Sequence, residues 1–402
     1  MTGPPSIDLI KDPYPYKCAF TICNDCDYIT REAFEVIHQF INTTDDTRLG
    51  KGLGLPIADT MFMYSERPEG LSYFKGTSGI PGKHSGFLRE AVKRGWIDSL
   101  HGYGDFMKPN AFSRKMAERA LNELDKKDIK LKTWIDHGSG DNSQNFSIPN
   151  LFSKGDNPKH SAYHTDLLKE YGVIFVAGYN TDLIGQNGKR KYLSRPLKQS
   201  EVPYKLLKRM QGRLWGRRLL RTKRGNDHNM FYYFSRARNG VLRPDASTLS
   251  HQLSDENIAK LIDSEGAMIL YQHLGAIKRR PNPYPYLDPQ AIRALSNIAK
   301  KHHDKTIWVA PTSELLAYTY LLENIELEVI HNEDSLTIEI IHKDEAEKHF
   351  ELEELKNLSF RIKDYRRDKI ILKCGDYTFK DTEYETFNDR GIVIKLNPGQ
   401  HN

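Results

Sequence analysis

Four short clusters in this chain combine residue types that could do chemistry: Asn24-Asp25-Cys26-Asp27, His101-Gly102-Tyr103-Gly104-Asp105, Asp136-His137-Gly138 and Gln272-His273. Each follows a short apolar run, and strand ends that carry carboxylates and imidazoles are where barrel enzymes keep a metal, an acid and a base. Asp25 and Asp27 stand two residues apart, so in extended backbone both carboxylates project to one side. Two acids that close cannot both stay ionised in a dry pocket without a cation or a shared proton. The pair therefore points to a divalent metal. His101 and Asp105 add a nitrogen and an oxygen ligand, and Gly102 and Gly104 let the backbone turn tightly enough for both to face one ion. Zinc with mixed His and Asp ligands and an open water position suits a catalytic site. The alternative for this second cluster is a loop histidine beside an aspartate that caps the next segment.

His137 lies in a loop from Trp134 to Asn145 that is dense in glycine and hydrogen-bonding side chains, a composition able to recognise a hydroxyl-rich ligand. For Asp141 and Asn142 the competing reading is a turn that satisfies its own backbone. His273 follows the apolar run AMILY, so it stands at the end of a buried strand like the other three clusters.

These residues need elements to position them, and the chain alternates short apolar runs with helical stretches. KCAFTI (17–22) reads as a strand, and TREAFEVIHQFI (30–41) reads as a helix with Phe34, Ile37 and Ile41 at helical spacing. Further strands are expected near 57–64, at 97–100, 133–135, 173–177, 267–271 and 306–310. Helices are expected between them, including one N-capped by Asp288 with Pro289 at its first position. Repeated strand–helix units imply parallel strands with crossover helices, hence an α/β barrel or a doubly wound sheet. From Ile325 onward the pattern becomes alternating strands (ELEVI, LTIEIIH, HFELE, LSFRI, KIILK, YTFK, GIVIKL), which predicts a small antiparallel β domain over 324–402. The expected barrel domain is 1–323, with a basic insertion around 185–239 that is too long for an ordinary connection.

With 402 residues, 38% of them apolar, the chain is long enough for one large and one smaller folded unit. Its net charge of +6 is mild, but from Lys189 to Arg224 Glu201 is the single acid among fourteen basic residues. That patch suits a solvated face, the phosphates of a lipid- or nucleotide-linked sugar, or peripheral contact with an anionic membrane, for which Leu214, Trp215, Leu219 and Leu220 supply an apolar side. Without interleaved base-stacking motifs, nucleic acid is not an expected partner. Cys18, Cys23 and Cys26 crowd around one strand instead of spreading as a disulfide framework, which favours a reducing compartment. Cys23 and Cys26 form a C-x-x-C, yet no second pair follows to complete a zinc site. The opening residues lack the features of a secretory signal and no stretch is apolar enough to span a membrane, so the expected location is cytoplasmic.

The order of Asp-x-Asp after the first strand, Leu100-His101-Gly102-Tyr103, and the late Leu270-Tyr271-Gln272-His273 resembles the polysaccharide deacetylase family, also called the nodulation-type deacetylase homology domain, over roughly 17–322. The resemblance implies a distorted (β/α) barrel of about seven strands and a hydrolase that removes acetyl groups from N-acetylated sugars or glycan intermediates. It implies Asp25 as general base, Asp27 and His101 as ligands of a divalent metal, usually zinc, and His273 as the acid that protonates the leaving amine. In the family the opening aspartates are commonly adjacent, so with Cys26 between them the roles of Asp25 and Asp27 could be exchanged. The family's second metal histidine falls four residues after His101, where this chain has Asp105, a carboxylate able to replace imidazole on zinc. The family's arginine-proline motif has no counterpart near His137, and Arg236 or Arg243 could fill its electrostatic role beside the substrate. Two other readings stay open: a glycoside hydrolase using Asp25 or Asp27 with Asp105, and a carbohydrate-binding barrel without activity.

Overall fold

The computed structural model describes residues 6–67, 70–108, 110–137, 142–147, 153–189, 192–193, 218–276, 286–331, 335–343, 350–363, 369–389 and 391–398. Contacts divide the chain into two compact units, Cys18–Leu315 and a second one built from Met1–Lys17 with Leu316–Asn402. Most of the basic stretch from 189 to 224 lies outside the described residues.

The larger unit is a closed barrel of seven parallel strands: β1 (Cys18–Asn24), β2 (Asp59–Met61), β3 (Ile97–His101), β4 (Thr133–Ile135), β5 (Phe175–Thr181), β6 (Met230–Ala237) and β7 (Ala267–Gln272). Each strand pairs with the next in sequence, and β7 closes on β1 with Ala267 opposite Ala19 and Gln272 opposite Asn24. Every residue of β1 is buried, because one face fills the barrel and the other meets the helical layer, which is why its sequence is a continuous apolar run.

Two seams are thin. β6 meets β7 only at Ala237 and Leu270, and β1 meets β2 only at Asn24 and Asp59. Below that last contact the short strand Ile307–Val309 takes the free edge of β1, opposite Cys18, Ala19 and Phe20. This wedge is one source of the barrel's distortion.

Two helices start at the caps that the sequence offers. Thr30 accepts a hydrogen bond from the Ala33 amide to open helix Arg31–Asn42, and Asp288 accepts from the amides of Gln290 and Ala291 to open Pro289–His303. Eight α-helices occur among the described residues, and none of them is long and apolar enough to cross a membrane. The strand MFYYFSRA, β6, lies inside the interval read as a basic insertion, so part of that interval is barrel wall.

The second unit holds two four-stranded sheets around Ile338, Phe360, Leu372 and Ile394. One sheet runs Ser6–Leu9, Ser359–Lys363, Ile392–Leu396, Tyr384–Asn388, all antiparallel. The other contains one parallel pair, Ser335–His342 with Lys369–Cys374. The expected strand HFELE instead enters a 3-10 turn at Leu352–Leu355, because the Glu354 carboxylate reaches back to accept from the Glu351 amide and closes the chain on itself.

Candidate metal centre

The four sequence clusters meet at the C-terminal ends of the barrel strands. The β1–β7 ladder runs one residue past β1, with the Asp25 amide donating to Gln272 O at 2.9 Å. Beyond it the turn is pinned from three sides. The Cys26 amide donates to Thr60 Oγ1, the Asn24 side chain donates to Asp59 Oδ2 at 2.6 Å, and its oxygen accepts from the Leu274 amide at 2.5 Å. Asp25 and Asp27 are thereby both buried and directed into the end of the barrel, while His101 ends β3 and His273 follows β7.

His137, two residues beyond β4, is held by its backbone: its amide donates to Asn145 Oδ1 and its carbonyl accepts from Asn145 Nδ2 at 2.8 Å. Gln144 secures the neighbouring loop, accepting from the Tyr103 amide at 2.7 Å and donating to Gly104 O at 2.7 Å. Gly102 has φ +53 and a Cβ there would meet the Gln144 side chain at 2.9 Å, so glycine is required. Asp136 turns inward, accepting from Trp134 Nε1 and from the amide and hydroxyl of Ser147. Asp136, Gln144 and Asn145 thus hold this loop and its neighbour in place, whereas Gly138 to Asp141 lie outside the described residues.

Ligand atoms of Asp27, His101 and His137 all lie within 4.8 Å of one another, and those of Asp25, Asp27 and His273 form a second such group. His137 Nδ1 is 3.2 Å from Asp27 Oδ1 and 3.4 Å from His101 Nε2, and His101 Nδ1 is 3.8 Å from Asp27 Oδ1. Atoms bound tetrahedrally at zinc distances lie about 3.3 Å apart, so two edges of the first group already have that length. Two imidazoles and a carboxylate are also the donor set that zinc and similar divalent ions prefer. The buried Asp/His group is able to hold a metal ion.

Its electrostatics fit the same use. Burial pushes His101 down to about 4, which keeps it neutral with a lone pair available. Burial opposes ionisation of Asp27, but the charge of His137, together with hydrogen bonds from His137 and His273, outweighs it and holds that carboxyl well below the usual range. Burial likewise opposes a charge on His137, yet Asp27 and Asp105 overcome it and raise the ring to about 10. The His137 proton is thus a cation that the Asp27 and Asp105 carboxylates hold between them.

The other expected site residues fall into place around this group. Asp25 Oδ1 is 2.5 Å from Arg236 Nη1, and its Oδ2 faces His101 Nε2 at 3.6 Å and His273 Nε2 at 3.9 Å. Arg236, expected beside the substrate, is buried instead between Asp25 and the Tyr271 ring, 4.1 Å away. His273 shares a hydrogen bond with Pro244 O through Nδ1 at 2.9 Å and turns Nε2 toward Asp27 Oδ2 at 3.1 Å. Arg243 is exposed. Asp105, expected as a ligand, stands on the far side of the His137 ring, 3.2 Å from Nε2, and its other oxygen is ion-paired with Arg67. His137, expected in the substrate pocket, takes the place in the group that Asp105 was given. Arg67 was not visible in the sequence, because it arrives from the loop after β2 with no spacing that ties it to the other clusters. A cavity of about 400 Å³ lined by Ser65, Ser72, Lys75, Lys83 and His84 shares Arg67 with this arrangement.

No family model matches this chain, and no curated protein matches it.

Proposed function

We propose that the barrel is a metal-dependent hydrolase that removes the acetyl group from an N-acetylated sugar or glycan intermediate, with zinc as the expected ion. The observation that carries this reading is the convergence of Asp27, His101 and His137 beside an Asp25 that is paired with a buried arginine. A divalent cation held by those three residues supplies Lewis acidity toward an amide carbonyl and lowers the pKa of water.

The chain's own residues divide the remaining work. Arg236 fixes Asp25 through Oδ1, so Oδ2 is the oxygen turned to the centre of the site and takes the proton from the attacking water. The water oxygen bonds to the carbonyl carbon while the C=O π pair moves onto the carbonyl oxygen, and when that oxyanion re-forms the carbonyl the C–N bond breaks. His273, oriented through Nδ1 by Pro244 O, gives a proton from Nε2 to the departing nitrogen, and acetate and an amino sugar are released. Because Arg236 already engages Asp25, the geometry favours Asp25 as base and Asp27 as ligand over the exchanged assignment. The engagement of both Asp105 oxygens argues against a glycoside hydrolase that would use it as a free carboxylate. Four buried cysteines, none in a disulfide, are in keeping with a cytoplasmic setting.

The test is acetate release from a panel of N-acetylated saccharides by zinc-loaded protein. Asp25→Asn is expected to lower the rate by roughly 100- to 10,000-fold with zinc still bound. A fully metallated wild type that releases no acetate from any member of the panel would overturn the proposal.

A further inference from the structure

Asp105 is engaged on both oxygens, and its partners form a closed circuit. Its Oδ1 is 3.2 Å from His137 Nε2, the ring nitrogen opposite the one that faces Asp27 and His101. Oδ2 is ion-paired with Arg67 Nε, Arg67 Nη2 donates to the Tyr28 hydroxyl at 3.0 Å, and the guanidinium lies 4.4 Å over the Tyr28 ring. Tyr28 is bonded to Asp27, which faces His137 Nδ1 at 3.2 Å and completes the ring. Tyr28 also holds φ +58, a left-handed conformation that costs an aromatic residue energy and persists where surrounding contacts enforce it.

The backbone supports the same arrangement. Tyr64–Ser65 pairs in parallel with Gly104–Asp105, the Glu66 amide donates to Asp105 O at 3.1 Å, and Glu66 Oε2 accepts from the Met107 amide at 2.7 Å. The loops after β2 and β3 are zipped together, which fixes the Asp105 backbone, and the Arg67 ion pair holds its carboxylate on the far side of the His137 ring.

A carboxylate that accepts from Nε2–H fixes which nitrogen of an imidazole carries the proton and leaves the lone pair on the other. We propose that Asp105 is a positioning residue, clamped by Arg67 and Tyr28, that sets the His137 ring with its Nδ1 lone pair toward Asp27 and His101, and that it is not itself a metal ligand. This rests on the reading that Asp27, His101 and His137 hold the ion. Arg67 balances the carboxylate's charge, so the clamp tightens the site without adding net negative charge to it.

The experiment is zinc affinity by chelator competition, with cobalt(II) absorption spectra of the same proteins. Asp105→Ala is expected to weaken zinc binding roughly 10- to 100-fold, to keep one ion per chain at saturation, and to keep the wild-type cobalt spectrum. Asp105→Asn, which retains an acceptor oxygen, should recover most of the affinity, and Arg67→Ala should lose less than Asp105→Ala. Wild-type affinity in Asp105→Ala would overturn the proposal, as would a cobalt spectrum showing a lost ligand. Should Asp105→Ala fail to fold by its thermal melt, Arg67→Ala decides, because a wild-type affinity in that variant, which removes the clamp on Asp105, would overturn it equally. A wild type that takes up no ion would bring down this inference together with the metal reading, whereas an unaffected Asp105→Ala brings down this inference alone.

Discussion

Arg236 and Asp25 form a buried ion pair in the site, and their worth depends on both being present. Removing one partner of a buried pair leaves an uncompensated charge, which costs about 3–5 kcal/mol. Arg236→Met is therefore expected to destabilise the fold by that amount, whereas the double variant Arg236→Met with Asp25→Asn should lose clearly less than the two single changes together. Denaturant unfolding of the four proteins checks this.

His164 makes a different demand at the same scale. It is wholly buried among Tyr103, Phe112, Trp134 and Phe146, and burial pushes its ring down to about 4. The unfolded chain takes up that proton near the ordinary histidine value of about 6.5 and the folded one only near 4, so the stability is complete above about pH 6.5 and is lost as pH falls toward 4. Between pH 7.5 and 5 the loss from this group is about 2 kcal/mol. His164→Phe should flatten that part of the stability profile, measured as unfolding midpoints against pH.

At the scale of elements, the sequence was most legible where local chemistry decides the outcome. Asp288 before Pro289 reads as a helix start, and the structure gives it two amide hydrogen bonds. Asp288→Ala is expected to cost about 1 kcal/mol of stability and to leave zinc affinity unchanged, as a thermal melt and a chelator titration would report. The apolar runs of β1 and β7 were equally plain, because strands buried on both faces have no polar alternation to hide them. What was not legible came from pairing across long separations. β6 sits in a basic interval whose charges masked it, and Ser6–Leu9 is too short and too polar to read as a strand without Ser359–Lys363 beside it. The site divides the same way. That acids and histidines follow the strands was visible, but which side of the His137 ring each carboxylate takes depends on the turns set by Asn145 and Gln144. Those turns are tertiary facts, and a spacing of four residues between His101 and Asp105 contains none of them.

At the scale of the whole molecule, Ser6 pairs with Lys363, so the strands Ser6–Leu9 and Ser359–Lys363 belong to one sheet, with the entire barrel sequence spliced between them. A chain leaving the ribosome presents Ser6–Leu9 before the barrel strands and its partner Ser359–Lys363 only after all of them. The barrel's own contacts, such as Ser99 with Thr133, close over far shorter stretches and carry a smaller entropic cost. The barrel therefore has to mature while an unsatisfied strand edge waits outside it, a period of exposure that a chain with contiguous domains avoids. Pulse-labelled hydrogen exchange during refolding should show protection at Thr133–Ile135 before Ser6–Leu9, and simultaneous protection would mean that the spliced unit assembles with the barrel as one cooperative whole.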